Sequence, residues 1–275
     1  MNIGNRNTDR ENFFIRKRLR IVVLIVFFIG IVLTAFRYFK FVSKTVYEES
    51  ASHLTEVFHQ SNNVLNELAN KNLTYLHMWG EYLKKVSDES EIRDYIDKAQ
   101  EEAGFLYFYF LSADGNYKML TGETGYLGLQ ENLEDKITLG EDIITNAVVP
   151  GKQQMLVFAS PQSHGSYQGF EYDAIAIAYE NADIVDVLDI SAFDGNAKSY
   201  VVHPDGRVVI DHSFEAWGTV YNFFGVLREH SNISEKEILE LSEKFKERRT
   251  DTMLVNLDER NYYLVYEKSD IQDWV

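Results

Sequence analysis

Cysteine is absent from the 275 residues. That excludes disulfides, thiolate zinc sites and cysteine nucleophiles, and it leaves the redox compartment open. Basic charge is short: the net charge is −16. No basic stripe exists to displace counterions from phosphates, which argues against a nucleic-acid partner. No glycine-rich loop of the phosphate-cradling kind is present. Metal-ligand spacing is also missing among the seven histidines. His53 and His59 do not share a helical face, and His203 and His212 flank one hairpin without a third ligand. Asp211-His212-Ser213 contains the letters of a hydrolytic triad, but a triad needs side chains converging from separate elements. The chain is therefore read as non-enzymatic, with no catalytic residues, no metal and no cofactor.

What is present begins with apolar and aromatic residues, 45% hydrophobic with 17 Tyr and 18 Phe, enough for a packed core. Charge is unevenly placed. Residues 1–44 hold nine Lys/Arg and two Asp/Glu, and residues 45–275 hold 18 and 41. The change falls at "IVVLIVFFIGIVLTAF", residues 21–36. With Arg37 and Lys40 snorkelling, the run reaches Val42 and meets the ~20 residues a spanning helix needs. Arg16, Lys17, Arg18 and Arg20 precede it. By the positive-inside rule, residues 1–20 stay cytoplasmic and residues 45–275 lie on the far side of the membrane. A cleaved signal peptide is the rival. It fits less well, because the charged leader is long and no A-x-A-like site follows.

Residues 44–86 lack proline and predict a helix roughly 64 Å long. Leu54, Phe58, Ser61, Leu65, Leu68, Asn72, Tyr75, Trp79, Tyr82 and Val86 follow alternating spacings of four and three, a heptad seam with two polar members. The seam fits a homodimer contact and fits packing on the chain's own sheet, and both remain open. Asp88 or Ser90 caps the next helix, and Gly104 ends it. "LSADGNYKML" and "VHPDGRVVI" each place an Asp-Gly turn between β-prone runs. After each comes a helical insert and a second strand pair: "QQMLVFASPQ" with "FEYDAIAIAYE", then "DTMLVNLD" with "RNYYLVYEK". A capping box at Ser234 and Glu237 opens the last helix. The order predicts two copies of one small module.

This organisation resembles the double Cache family of bacterial extracytoplasmic sensors. The anchor, the long helix, the paired Asp-Gly hairpins, "YDAIAIAYE" leading to "SYVVHPDGRVVI", and "NYYLVYEKSDIQDWV" carry the resemblance, which covers residues 21–275. It implies an α+β fold: an N-terminal transmembrane helix, a long membrane-distal-reaching helix and two tandem PAS-like antiparallel-sheet modules. The implied divisions are cytoplasmic residues 1–20, anchor 21–42, signalling helix 43–86, membrane-distal module 87–190 and membrane-proximal module 191–275. It also implies a small-molecule ligand, of a kind the sequence does not name, in the distal module. A returning helix and an output domain, a histidine kinase or diguanylate cyclase, would lie beyond Trp274. The amino-acid-binding subset carries a Tyr, Arg, Trp-Tyr pattern that this chain lacks, so an amino-acid ligand is not supported. An anchored surface-binding or adhesion protein without output is the alternative.

Candidate ligand residues come from two strands and their neighbours. Alternation in "FLYFYFL" places Phe105, Tyr107, Tyr109 and Leu111 on one face and Leu106, Phe108 and Phe110 on the other. Tyr107 and Tyr109 offer hydroxyls and ring area to a pocket. In "YDAIAIAYE", small Ala174, Ala176 and Ala178 share a face that suits close approach of a helix. If they meet the long helix, Asp173 and Tyr179 face the ligand. Tyr117 and Phe158 complete the set. Trp79 is read as packing.

Overall fold

The computed structural model describes residues 5–129, 132–148, 154–188, 198–212 and 220–275. Two compact units emerge, residues 1–53 and 54–275. The expected boundary between modules, at 190/191, lies outside the described residues, as does Ser213.

Helix α1 spans Asn5–Leu83. In the first unit it carries a stretch whose best 18-residue window has mean hydropathy 1.9 and no burial. Leu24, Phe27, Phe28, Leu33 and Phe36 are each at least 60% exposed. Apolar surface this continuous is stable only when water is kept from it, and the length and composition suffice to cross a bilayer.

In the second unit, α1 is followed by α2 (Glu89–Ala103), β1 (Tyr107–Leu111), β2 (Asn116–Met119), β3 (Thr124–Tyr126), β4 (Gly128–Leu129), α3 (Leu133–Leu139), β5 (Ile143–Val148), β6 (Gln154–Tyr167), β7 (Phe170–Glu180) and α4 (Asn181–Leu188). Asp88 caps α2 by accepting from the backbone of Ser90 and Glu91, and Gly104 closes it. All seven strands form one antiparallel sheet in the order β3-β2-β1-β7-β6-β5-β4. The sheet is covered on both faces. One face carries Phe108, Phe110, Phe158, Ile175 and Ile177 against Leu65, Leu76 and Trp79 of α1 and Ile92 and Ile96 of α2. The opposite face carries Tyr109, Leu111, Met155 and Val157 under Leu127 and Leu133. Phe105 differs from the expected alternation. It precedes β1 and sits with Trp79, ring centroids 5.4 Å apart.

β8 (Ser199–Val202), β9 (Val208–His212), α5 (Phe223–His230), α6 (Glu235–Lys246), β10 (Asp251–Leu257) and β11 (Arg260–Tyr266) follow. The capping box of Ser234 and Glu237 forms as expected. Both Asp-Gly hairpins form too. Gly115 and Gly206 hold φ of 86° and 87°, a region closed to most side chains. A Cβ on Gly206 would also meet the Phe224 ring at 2.3 Å.

The second module departs from the first in its sheet. β8-β9 and β10-β11 stay separate two-stranded sheets, packed around Phe223, Phe224, Leu241 and Phe245. The modules meet at β9. Asn146 of β5 and Gln154 of β6, both fully or nearly buried, each donate to the carbonyl of Val208. The Asn181 amide exchanges two hydrogen bonds, 2.7 and 2.9 Å, with the backbone of Asp211. Near the C-terminus, Asn62 of α1 donates to the Asp270 carboxylate at 2.8 Å and accepts from the Ser269 hydroxyl at 3.0 Å.

The heptad seam is therefore covered by the chain itself over much of its length. Leu65, Asn72 and Trp79 are buried, and Leu68, Tyr75 and Val86 pack on the same core.

Candidate ligand-binding face

The alanines of β7 define the face. Ala174, Ala176 and Ala178 lie opposite α1, not against it, in one layer with Ala147, Ala159, Tyr109 and Tyr117. Cross-strand pairing sets Tyr107 beside Ala178 and Tyr109 beside Ala176, with Ala159 paired to Ala176 on the far side. Neighbouring small residues make a low floor. The rings of Tyr107, Tyr109 and Tyr117 stand over it, centroids 5.9 and 4.8 Å apart in sequence. Leu127, Leu133 and Ile137, from β4's entry and α3, close the layer.

The Tyr109 hydroxyl is a neutral hydrogen-bonding group. Burial drives the Tyr109 phenol well above its ordinary value, and nearby Tyr117, Tyr107 and Glu123 add to the rise. Tyr109 is 1% exposed. Thr145, also fully buried, brings a further hydroxyl to the same face by strand alternation. The layer thus combines aromatic rings, an apolar floor and hydroxyls, closely packed, with Tyr109, Leu127, Ala147, Ala159 and Ala176 at most 1% exposed.

Five of the six expected residues divide between two faces, and the sixth lies at a hairpin. Tyr107, Tyr109 and Tyr117 come together over the alanines. Phe158 and Tyr179 point to the α1 side, rings 6.0 Å apart. The Tyr179 hydroxyl donates to Oδ1 of Asn72 at 2.9 Å, so the polar seam position on α1 is met by a polar strand residue. Burial pushes the Tyr179 phenol up to about 12, the Asn72 hydrogen bond opposing it. Asp173 sits at the hairpin. Its carboxylate accepts from the Ala113 backbone at 3.0 Å and meets His164 Nδ1 at 3.0 Å. Both contacts serve the β1-β2 turn and the β6-β7 bulge between Pro161 and Gly165. Sequence reasoning did not single out Thr145, Ala147, Ala159, Leu127 or Leu133 as neighbours of the tyrosines. Pairing partners across a sheet leave no local mark in the chain. Among the described residues, no group of three or more His, Asp or Glu is placed to hold a metal ion.

No protein-family model and no curated protein matches the chain. Solved structures do match. The ligand-binding domain of the Pseudomonas aeruginosa amino-acid chemoreceptor PctB, with L-Gln, aligns over 81% of this chain and 87% of its own, with a TM-score of 0.53 and 15% identity. The sensory domain of the Campylobacter jejuni chemoreceptor Tlp3 aligns over 84% and 93%, TM-score 0.51, 9% identity. The extracellular domain attributed to the histidine kinase mmHK1S-Z3 aligns over 81% and 91%, TM-score 0.51, 12% identity. The chain has the fold of these sensory ligand-binding domains, in agreement with the resemblance read from its sequence.

Proposed function

We propose that the chain is the input region of a membrane-anchored bacterial signalling receptor that senses a small molecule outside the cell. The observation that carries this is the fold: about nine-tenths of each of three sensory domains, from chemoreceptors and a kinase, superposes on it. The face under Tyr107, Tyr109 and Tyr117 is the ligand site in this reading. Binding there shifts the sheet against α1 and biases a dimer between two states. The output, of histidine-kinase or diguanylate-cyclase type, belongs to a further domain.

Ligand screening by thermal shift on the full chain in lipid nanodiscs tests the site. A bound molecule raises the melting temperature, with the logarithm of its concentration once that exceeds Kd. For a hit on this face, Tyr109→Phe lowers affinity roughly tenfold, the scale of one hydrogen bond. Ala176→Leu, which raises the floor, abolishes binding. Hits indifferent to both variants remove the tyrosine face from consideration.

Orientation has its own test, helped by the absence of cysteine. A single Asn5→Cys and a single Lys236→Cys are labelled without background. In intact cells a membrane-impermeant maleimide is expected to react at position 236 and not at position 5. The reverse pattern defeats the extracytoplasmic placement.

A further inference from the structure

In the first module, hairpin strand β1 pairs with the last strand, β7. Their counterparts in the second module, β8 and β11, belong to separate sheets. β8 instead exchanges backbone hydrogen bonds between Val202 and Val275, at 2.8 and 2.9 Å. Residues of both strands line a cavity of about 170 Å³. Leu54, Val57 and Phe58 of α1 form one wall, and Phe223 and Phe245 form another. An apolar cavity of about 150 Å³ holds a benzene ring, so this one has room for a ring and a short substituent.

Glu267 also lines the cavity. It is 8% exposed. Its carboxylate lies 3.7 Å from Nε2 of His59, which is itself well exposed. That separation is beyond hydrogen-bond reach. The Glu267 side chain keeps only 10% of its surface exposed, and a cation seated in the cavity can meet its carboxylate more closely than His59 does.

We infer that the cavity is a second ligand site, taking a small primary amine with an apolar body. The ammonium sits on Glu267, and the body lies between the α1 wall and the two phenylalanines. The site is in the second module and does not depend on the tyrosine face. Lys198 lines the cavity as well, which makes the sign of the ligand's charge the point to test.

The experiment is calorimetric titration of the full chain in lipid nanodiscs with 2-phenylethylamine, 2-phenylethanol and 3-phenylpropionate. The amine is expected to bind at least tenfold more tightly than the alcohol. Glu267→Gln is expected to erase that preference while leaving the alcohol's affinity unchanged. Ser61→Phe, which fills the cavity from α1, is expected to abolish binding of both, with thermal melts confirming a folded protein. Tyr109→Phe is expected to leave amine affinity unchanged, so failure here does not touch the tyrosine-face reading. The inference is overturned if the amine does not bind, if it binds Glu267→Gln as tightly as the wild type, if 3-phenylpropionate binds more tightly, or if binding survives Ser61→Phe.

Discussion

Trp79→Ala is expected to destabilise the second unit by about 3–5 kcal/mol, the range for truncating a buried aromatic ring. Trp79 is 2% exposed. Its indole stacks on Tyr75 at 5.6 Å and lies against Phe105 and Phe108 at 5.4 and 6.2 Å. The side chain therefore joins α1, the entry to β1 and β1 itself. Alanine leaves a void between a helix and a sheet that cannot both relax into it. Whole-domain stabilities are typically about 5–15 kcal/mol, so the loss is a large share. Urea unfolding followed by circular dichroism measures it as a lower midpoint at unchanged slope. Trp79→Phe should recover most of the difference. A cost below about 1 kcal/mol would be out of scale for a buried ring and would mean that the indole does not hold α1 to the sheet.

Removing both Asn146 and Gln154 is expected to cost more than the two single changes together. Each side chain donates to one acceptor, the Val208 carbonyl. With either amide gone, the other still satisfies that oxygen, and each single alanine variant should lose about 1 kcal/mol, a typical net hydrogen bond. With both gone, a buried backbone carbonyl is stranded, which costs a further ~1–3 kcal/mol. Asn146 Oδ1 and Gln154 Oε1 are themselves buried without partners, which holds down the single-variant losses. A double-mutant cycle in urea reads the excess as an interaction term. Strict additivity would show that the two amides do not share the carbonyl. Because Val208 lies in β9 and the amides lie in β5 and β6, the same variant should also loosen the packing of β9 on the seven-stranded sheet.

Much of the fold was legible because its signals are local. An Asp-Gly pair between β-prone runs specifies a hairpin within a few residues, and both hairpins form. Ser234 with Glu237, and Asp88 before a helical stretch, name their caps on the same short scale. The apolar stretch after a basic cluster marks, by length alone, a helix long and apolar enough to cross a membrane. The faces of the sheet were another matter. Alternation separates Ala176 from Ile177, but nothing in "YDAIAIAYE" says which side meets α1. Small residues suggested a helix contact, whereas bulky Ile175 and Ile177 fill that interface and the alanines floor the opposite face. The expectation that Asp173 and Tyr179 lie across from α1 fails for that reason: Tyr179, like Phe158, lies with α1, and Asp173 serves the hairpin. A clue was available in Asn72, whose polar place in the seam required a polar partner, found in Tyr179. The open seam between β8 and β11 had no sequence mark at all, because strand pairing over such separations is decided by the assembled core.

The pairing of β1 with β7 has a consequence for how the protein is made. Tyr107 must find Ala178, and Leu111 must find Ala174, so the centre of the sheet closes only after more than sixty intervening residues have emerged. Contacts of that separation are slow to form, since the loop must be ordered before they repay it. β6 and β7, joined by a two-residue turn at Gln168 and Gly169, can pair early and wait. Until they dock, Phe108 and Phe110 have only α1 and α2 to cover them. The early chain is thus exposed to aggregation until that hairpin docks, and its rate-limiting step should be the arrival of the β6-β7 hairpin beside β1.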